Sequence, residues 1–125
     1  LTIANMYGTA YPGDKLDTPA RLAQSEILKE FLDAAGEPAI ACGDFNLFPE
    51  TKSIAMFEET MRNLIKEFSI PTTRSIINEQ KYAGGIIQRF ADYTFVSPRI
   101  RVESFEAPNV PISDHLPMIL KFSLR

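Results

Sequence analysis

Ile40-Ala41-Cys42-Gly43-Asp44-Phe45-Asn46 is an apolar run that ends abruptly in a carboxylate and an amide. A short apolar run bounded by turn residues reads as a strand, here over residues 39–43. Working back from it, Pro38 and Gly36 mark a stop, and Leu22, Leu28, Phe31, Leu32 and Ala35 recur at helical spacing. Thr18-Pro19 opens that helix, with Thr18 as N-cap and proline in the first turn. Before it, Leu1 to Tyr7 reads as another strand. Strand, helix and strand within some 45 residues predict an α/β arrangement.

Working forward, a loop from Asp44 to Thr51 holds Pro49. A helix is expected from about Ser53 to Glu59, with another over Met61 to Phe68. Ile70 to Ile87 is weakly patterned, and Tyr82-Ala83-Gly84-Gly85 reads as a turn or mobile loop. Strands are expected over Ala91–Ser97, Val102–Glu106 and Met118–Leu124, the first favoured by Tyr93, Phe95 and Val96. Ser113-Asp114-His115 precedes the last of these, again where a loop meets an apolar run. Sites in open α/β sheets are built at such junctions.

The 125 residues suffice for one small domain, 45% hydrophobic and 23% charged. The net charge of −3 excludes a strongly basic field for nonspecific nucleic-acid binding. Cys42 is the single cysteine, has no disulfide partner, and reads as a buried small hydrophobe. No apolar run approaches the ~18 residues of a transmembrane helix. A cytoplasmic protein without a signal peptide is the expectation. The opening Leu1, already committed to a strand, leads us to expect a partial domain over 1–125.

Asp44, Asn46, Asp92, Asp114 and His115 carry the chemistry. Phosphoester hydrolysis needs a positioned water and donors for the phosphoryl oxygens. Asp44 can accept a proton from the water or orient it. The Asn46 amide both donates and accepts. Asp114 offers a hard oxygen suited to Mg²⁺. His115 can donate to phosphate while Asp92 holds its other nitrogen. Taken singly, each also reads as an ordinary turn residue, and Tyr7 as a packing residue with a wet hydroxyl.

Five segments in order resemble the C-terminal half of the endonuclease/exonuclease/phosphatase superfamily. They are Ile3-Ala4-Asn5-Met6-Tyr7, Arg21-Leu22-Ala23-Gln24, Cys42-Gly43-Asp44-Phe45-Asn46, Ala91-Asp92-Tyr93-Thr94-Phe95-Val96-Ser97 and Ser113-Asp114-His115-Leu116-Pro117. The resemblance implies half of a DNase I-like four-layer α/β-sandwich, with mainly antiparallel or mixed sheet and flanking helices. It implies a metal-dependent phosphoester hydrolase. Asp44 and Asn46 would align the nucleophilic water, and Asn46 also the phosphate. His115 and Tyr7 would contact phosphate, Asp92 would pair with His115, and Asn5 would lie on the substrate. Asp114 would sit at a Mg²⁺ (or Mn²⁺) site. Arg21 and Gln24 would be structural.

The family's first half supplies an Asn and a metal-binding Glu that have no counterpart here. The chain alone is therefore expected to be inactive, or completed by the missing N-terminal half. Substrate choice would lie in two loops, Gly8–Thr18 with Tyr11, Asp14, Lys15 and Asp17, and Ile70–Gln88 with Arg74, Lys81 and Tyr82, flanked by Arg89. Basic residues beside an aromatic favour nucleic acid among phosphoester substrates. The alternative is a non-catalytic interaction module that retains the fold.

Overall fold

The structure is a computed structural model, and it describes all residues except 82, 83, 86 and 125. Strand β1 (Thr2–Tyr7) is followed by helix α1 (Pro19–Ala35) and strand β2 (Ala39–Asp44). Then come α2 (Lys52–Glu58), β3 (Arg62–Asn63), α3 (Leu64–Glu67) and α4 (Ile76–Lys81). Strands β4 (Asp92–Val96), β5 (Ile100–Glu106) and β6 (Ile119–Leu124) complete the order.

The caps of α1 follow the sequence. The Thr18 hydroxyl accepts from the Arg21 amide, Pro19 opens the helix, and Gly36 closes it at φ 70°. The stretch expected as a helix over Met61–Phe68 instead splits into a two-residue strand and a single helical turn. Asn63 ends the strand and caps the turn, its side chain accepting from the Ile65 amide. The weakly patterned region contains α4, where Ile76 and Ile77 are exposed and Asn78 is buried, so no apolar stripe announced it. Of the turn expected at 82–85, Gly84 and Gly85 do lie in a turn and bend, while Tyr82 and Ala83 are outside the described residues.

One sheet has the order β1-β2-β4-β3 and the other pairs β5 with β6. β1 runs parallel to β2, as a helical crossover requires, and every other pairing is antiparallel. The mixed sheet with flanking helices is the fold class expected.

Alternation along the strands separates two faces. Ala39, Ala41, Tyr93 and Phe95 face one way, into the core beneath the helices. There Phe45 meets Phe57, Tyr93 and Phe95 edge-on at 5.5–5.6 Å between ring centroids. Such pairs contribute about 0.5–1.5 kcal/mol each beyond the area they bury. Phe45 thus anchors the chain between Asp44 and Asn46. Cys42 and Asp44 on β2, and Thr94 and Asp92 on β4, point to the opposite face. Asn5 and Tyr7 of β1 extend the same rows.

Gly43 has φ 127°, and a Cβ there would lie 2.1 Å from the Met6 carbonyl oxygen. Only glycine lets β1 approach β2 so closely at the end of the sheet.

Candidate active site

Register brings three side chains to the end of one sheet face. Tyr7 is paired with Asp44, and Asp44 with Asp92. The segment before β6 supplies the fourth. His115 Nδ1 is 2.9 Å from Asp92 Oδ1 and 3.0 Å from Oδ2, and His115 Nε2 is 3.9 Å from Asp44 Oδ2. The carboxylate–imidazole pair expected between Asp92 and His115 is therefore formed.

Asn46 reaches the site by a turn, not by strand alternation. Its backbone N–H donates to Asp44 Oδ1 at 2.9 Å, and its φ is 54°, a left-handed value that asparagine tolerates. Its side chain is buried, where Nδ2 donates to the Gly8 carbonyl at 2.8 Å and Oδ1 accepts from Lys15 Nζ. The carbonyl side of the amide thus already accepts from a protein donor. What Asn46 retains for a ligand is its second N–H and one lone pair of Oδ1.

Lys15 and Arg74 are the site residues whose positions the sequence did not reveal. Both belong to loops expected to decide substrate choice, and they are only 7% and 8% exposed. Lys15 has φ 60° and turns inward to Asn46. Burial lowers its ammonium pKa, partly offset by Asp44. Its loop is held by Arg21, whose guanidinium donates to the carbonyls of Thr9, Ala10, Pro12 and Leu16 and to Asp14. Gln24 accepts from the Thr9 amide and hydroxyl. Asp17 accepts from the amides of Lys52 and Ser53 at the start of α2. Of this loop's charges, Lys15 alone points into the site. A left-handed lysine between two acids carries no sequence signal for that.

Arg74 lies beside His115, with a guanidinium N–H directed at His115 Nε2. Asp114 Oδ2 is 3.9 Å from the guanidinium. Asp114 is half-exposed and stands outside the cluster formed by Asp44, Asp92 and His115.

That cluster offers one ligand atom from each residue within 4.8 Å of one another, so by distance it could hold a metal ion. The donors are mostly engaged, however. Both oxygens of Asp92 face His115, one oxygen of Asp44 accepts from Asn46, and each imidazole nitrogen has a partner. Asp44 Oδ2 is the carboxylate oxygen left most open. Mg²⁺ takes carboxylate, water and phosphate oxygens, so these residues make part of such a site and not the whole.

Burial and the facing Asp92 carboxylate raise the Asp44 pKa. The hydrogen bond that His115 donates to Asp92 raises the His115 pKa, against partial burial. A carboxyl drawn toward neutrality beside an imidazole is an arrangement suited to proton transfer at an anionic centre. Tyr7 is 75% exposed and Asn5 is exposed with its amide toward Cys42. They line the rim beside Asp44 on the same face, with no hydrogen bond to the cluster among the described residues.

The family model described as "Endonuclease/Exonuclease/phosphatase family" matches residues 5–115. No curated protein matches the chain. Among solved structures, a functionally unknown conserved protein from Enterococcus faecalis V583 aligns with TM-score 0.72 and 17% identity, over 98% of this chain and 50% of that one. A mannosyl-6-phosphatase from Bacteroides thetaiotaomicron VPI-5482 aligns with TM-score 0.68 and 20% identity, over 89% and 48%. The human Nocturnin catalytic domain, solved with a bound sulfate anion, aligns with TM-score 0.63 and 20% identity, over 98% and 46%. At these identities the likeness shows the fold. The chain spans about half the length of the solved structures it matches. No described helix is long and apolar enough to cross a membrane.

Proposed function

Because the chain belongs to the endonuclease/exonuclease/phosphatase family, we propose that it carries the water-activating half of a metal-dependent phosphoester hydrolase. The observation that carries this reading is the convergence of Asp44, Asp92 and His115 at one sheet end, beside the buried amide of Asn46. A buried and a part-buried carboxylate set side by side repel each other when ionised, a cost that a purely structural sheet end would avoid.

In this reading Asp44 Oδ2 takes a proton from the attacking water. Asn46 directs its remaining N–H to that water or to a phosphoryl oxygen. His115, charged and held by Asp92, donates Nε2–H to phosphate. The tyrosine hydroxyl of Tyr7 and the amide of Asn5 close the substrate side from β1. A bound Mg²⁺ or Mn²⁺ would neutralise charge on the phosphoryl oxygens. Asp114 is our assignment for its carboxylate in this chain, with further ligands from a second segment.

A second segment is also what the surface asks for. Ile3, Ile27 and Phe31 are more than half exposed along β1 and α1. An open groove of about 330 Å³ runs between Ile3, Ile40, Met118, Leu120 and Phe122. Apolar surface of this kind marks an unfilled interface. We therefore assign the groove to the remaining half of the same domain.

The test is Mg²⁺-dependent hydrolysis by the intact protein that carries this chain, with EDTA and Asp44→Ala controls. Nucleic acid heads the substrate panel, with abasic-site DNA and RNA beside a simple phosphodiester and a sugar phosphate. Activity lost with EDTA and in the variant supports the hydrolase. Unchanged behaviour of a well-folded Asp44→Ala protein supports an interaction module instead.

A further inference from the structure

We propose that Arg74 is a phosphate-binding residue of this site, its guanidinium and His115 Nε2 gripping the same phosphoryl group. The inference rests on the hydrolase reading for its setting, but on separate observations for its content.

A buried guanidinium normally finds a carboxylate at hydrogen-bonding distance, because leaving it unpaired costs several kcal/mol. Arg74 is 8% exposed, and the closest acid paired with it, Asp114, stays 3.9 Å away. Its Nε is buried without a hydrogen-bond partner among the described residues. Among the described residues, the acceptor it meets inside the site is His115 Nε2. The buried cation therefore lacks a hydrogen-bonded carboxylate where the guanidinium and the imidazole converge. An anion with several oxygens supplies the missing negative charge there, reaching the guanidinium fork and His115 Nε2 together.

The residue is also firmly placed. The Thr73 hydroxyl accepts from the amides of Ala91 and Asp92, which ties Arg74 to the start of β4. The Ser75 amide donates to the Asp114 carbonyl at 3.1 Å, and the Leu116 amide to the Thr73 carbonyl at 2.9 Å. An isolated antiparallel bridge pairs Arg74 with His115. A segment merely filling a loop would not be bonded on both sides of the residue it presents. Fixing it there pre-pays the ordering of a long side chain.

The test uses His115, which is the one histidine of the sequence and gives a single set of imidazole resonances from this chain. Inorganic phosphate is titrated into the intact protein in EDTA while the His115 signals are followed by NMR, with backbone labelling assigning them if the rest of the protein adds histidines. The expected result is a saturable shift in the wild type. Arg74→Gln weakens the phosphate Kd about ten- to hundredfold, the range for losing a charge-assisted contact. Arg74→Lys, which keeps the charge and guards against misfolding in the neutral variant, weakens it less. Added guanidinium restores part of the loss in Arg74→Gln, which a purely structural role would not allow.

A Kd unchanged within twofold in both variants overturns the inference, as does a wild-type His115 signal indifferent to phosphate. Failure here is distinct from failure of the hydrolase reading. Asp44-dependent turnover with Arg74-independent phosphate binding sinks only Arg74. Arg74-dependent phosphate binding without turnover of any ester sinks only the hydrolase.

Discussion

His115 Nδ1 faces both oxygens of the Asp92 carboxylate, at 2.9 and 3.0 Å, and this bond fixes the imidazole so that Nε2 points back toward Asp44. The register of β2 against β4 makes the arrangement possible, because it sets Asp44 and Asp92 side by side on one face. Two adjacent carboxylates are an electrostatic burden that a proton on the imidazole between them would relieve.

The pair should be visible by titration. The Asp92 hydrogen bond raises the His115 pKa above its ordinary value near 6.5. Folding therefore favours the protonated imidazole. The stabilisation is complete below the unfolded pKa of about 6.5 and is lost as pH rises through the higher folded value. Asp92→Asn should move the His115 midpoint down, read by NMR. The stability gap between wild type and variant should be widest below about pH 6.5 and narrow above the wild-type midpoint. A midpoint unmoved by the substitution would refute the pairing.

Asp44 has the opposite consequence. Its pKa is raised by burial and by Asp92, so the ionised form, the base of the proposed reaction, is disfavoured in the folded state. The penalty is absent below about pH 3.8, grows as pH rises toward the folded value, and is full above it. Asp44→Asn should therefore lose about 10²–10⁴ in kcat while gaining about 1 kcal/mol of stability at pH 7. Turnover assays and chemical denaturation on the same preparations check the two halves. A variant that is both inactive and markedly less stable would mean that Asp44 serves the fold.

The elements that frame these groups were legible because their signals are local. Thr18-Pro19 and Gly36 bound α1 as the capping rules require, and Tyr93 to Val96 declares β4 by composition. The Asp92–His115 pair was a candidate from the chemistry of a histidine that needs an orienting carboxylate, and the resemblance strengthened it, since nothing local joins residues 23 positions apart. Lys15 and Arg74 were placed on loops that flank the site, but their inward turn was not readable. Whether a loop cation turns inward depends on distant acceptors, here Asn46 Oδ1 and His115 Nε2, and neither periodicity nor turn chemistry encodes those. The part played by Phe45 was equally silent, since its aromatic partners lie on α2 and β4.

Metal binding separates Asp114 from Asp92. If Asp114 supplies the carboxylate for Mg²⁺, Asp114→Asn should raise the Mg²⁺ concentration for half-maximal activity about tenfold or more, and Asp92→Asn should act mainly on kcat. The basis is that both Asp92 oxygens already face His115, whereas Asp114 is half-exposed with Arg74 no nearer than 3.9 Å. One lost carboxylate ligand matters because Mg²⁺ is held by only one or two. The reverse pattern would place the cation in the Asp44–Asp92–His115 cluster.

Arg21 should prove a positioning residue for Lys15. Its side chain is fully buried and satisfies four carbonyl oxygens of the loop between β1 and α1, along with Asp14. Arg21→Ala would strip donors from those carbonyls and empty a large buried volume. Each abandoned buried acceptor costs about 1–3 kcal/mol, tempered where water can enter. A total loss of about 3 kcal/mol or more in chemical denaturation is expected. Lys15 sits within the clamped stretch, and its carbonyl accepts from the Phe48 amide at 2.8 Å. With the clamp gone, Lys15 no longer has a fixed route to Asn46, so activity should fall further than the folded fraction does. Hydrogen exchange should localise the loosening to residues 8–17, leaving β2 and β4 protected. Arg21→Lys should rescue little of either property, since one ammonium cannot reach carbonyls spread over eight residues of loop. Full activity per folded molecule in Arg21→Ala would show that Lys15 finds its place without the clamp.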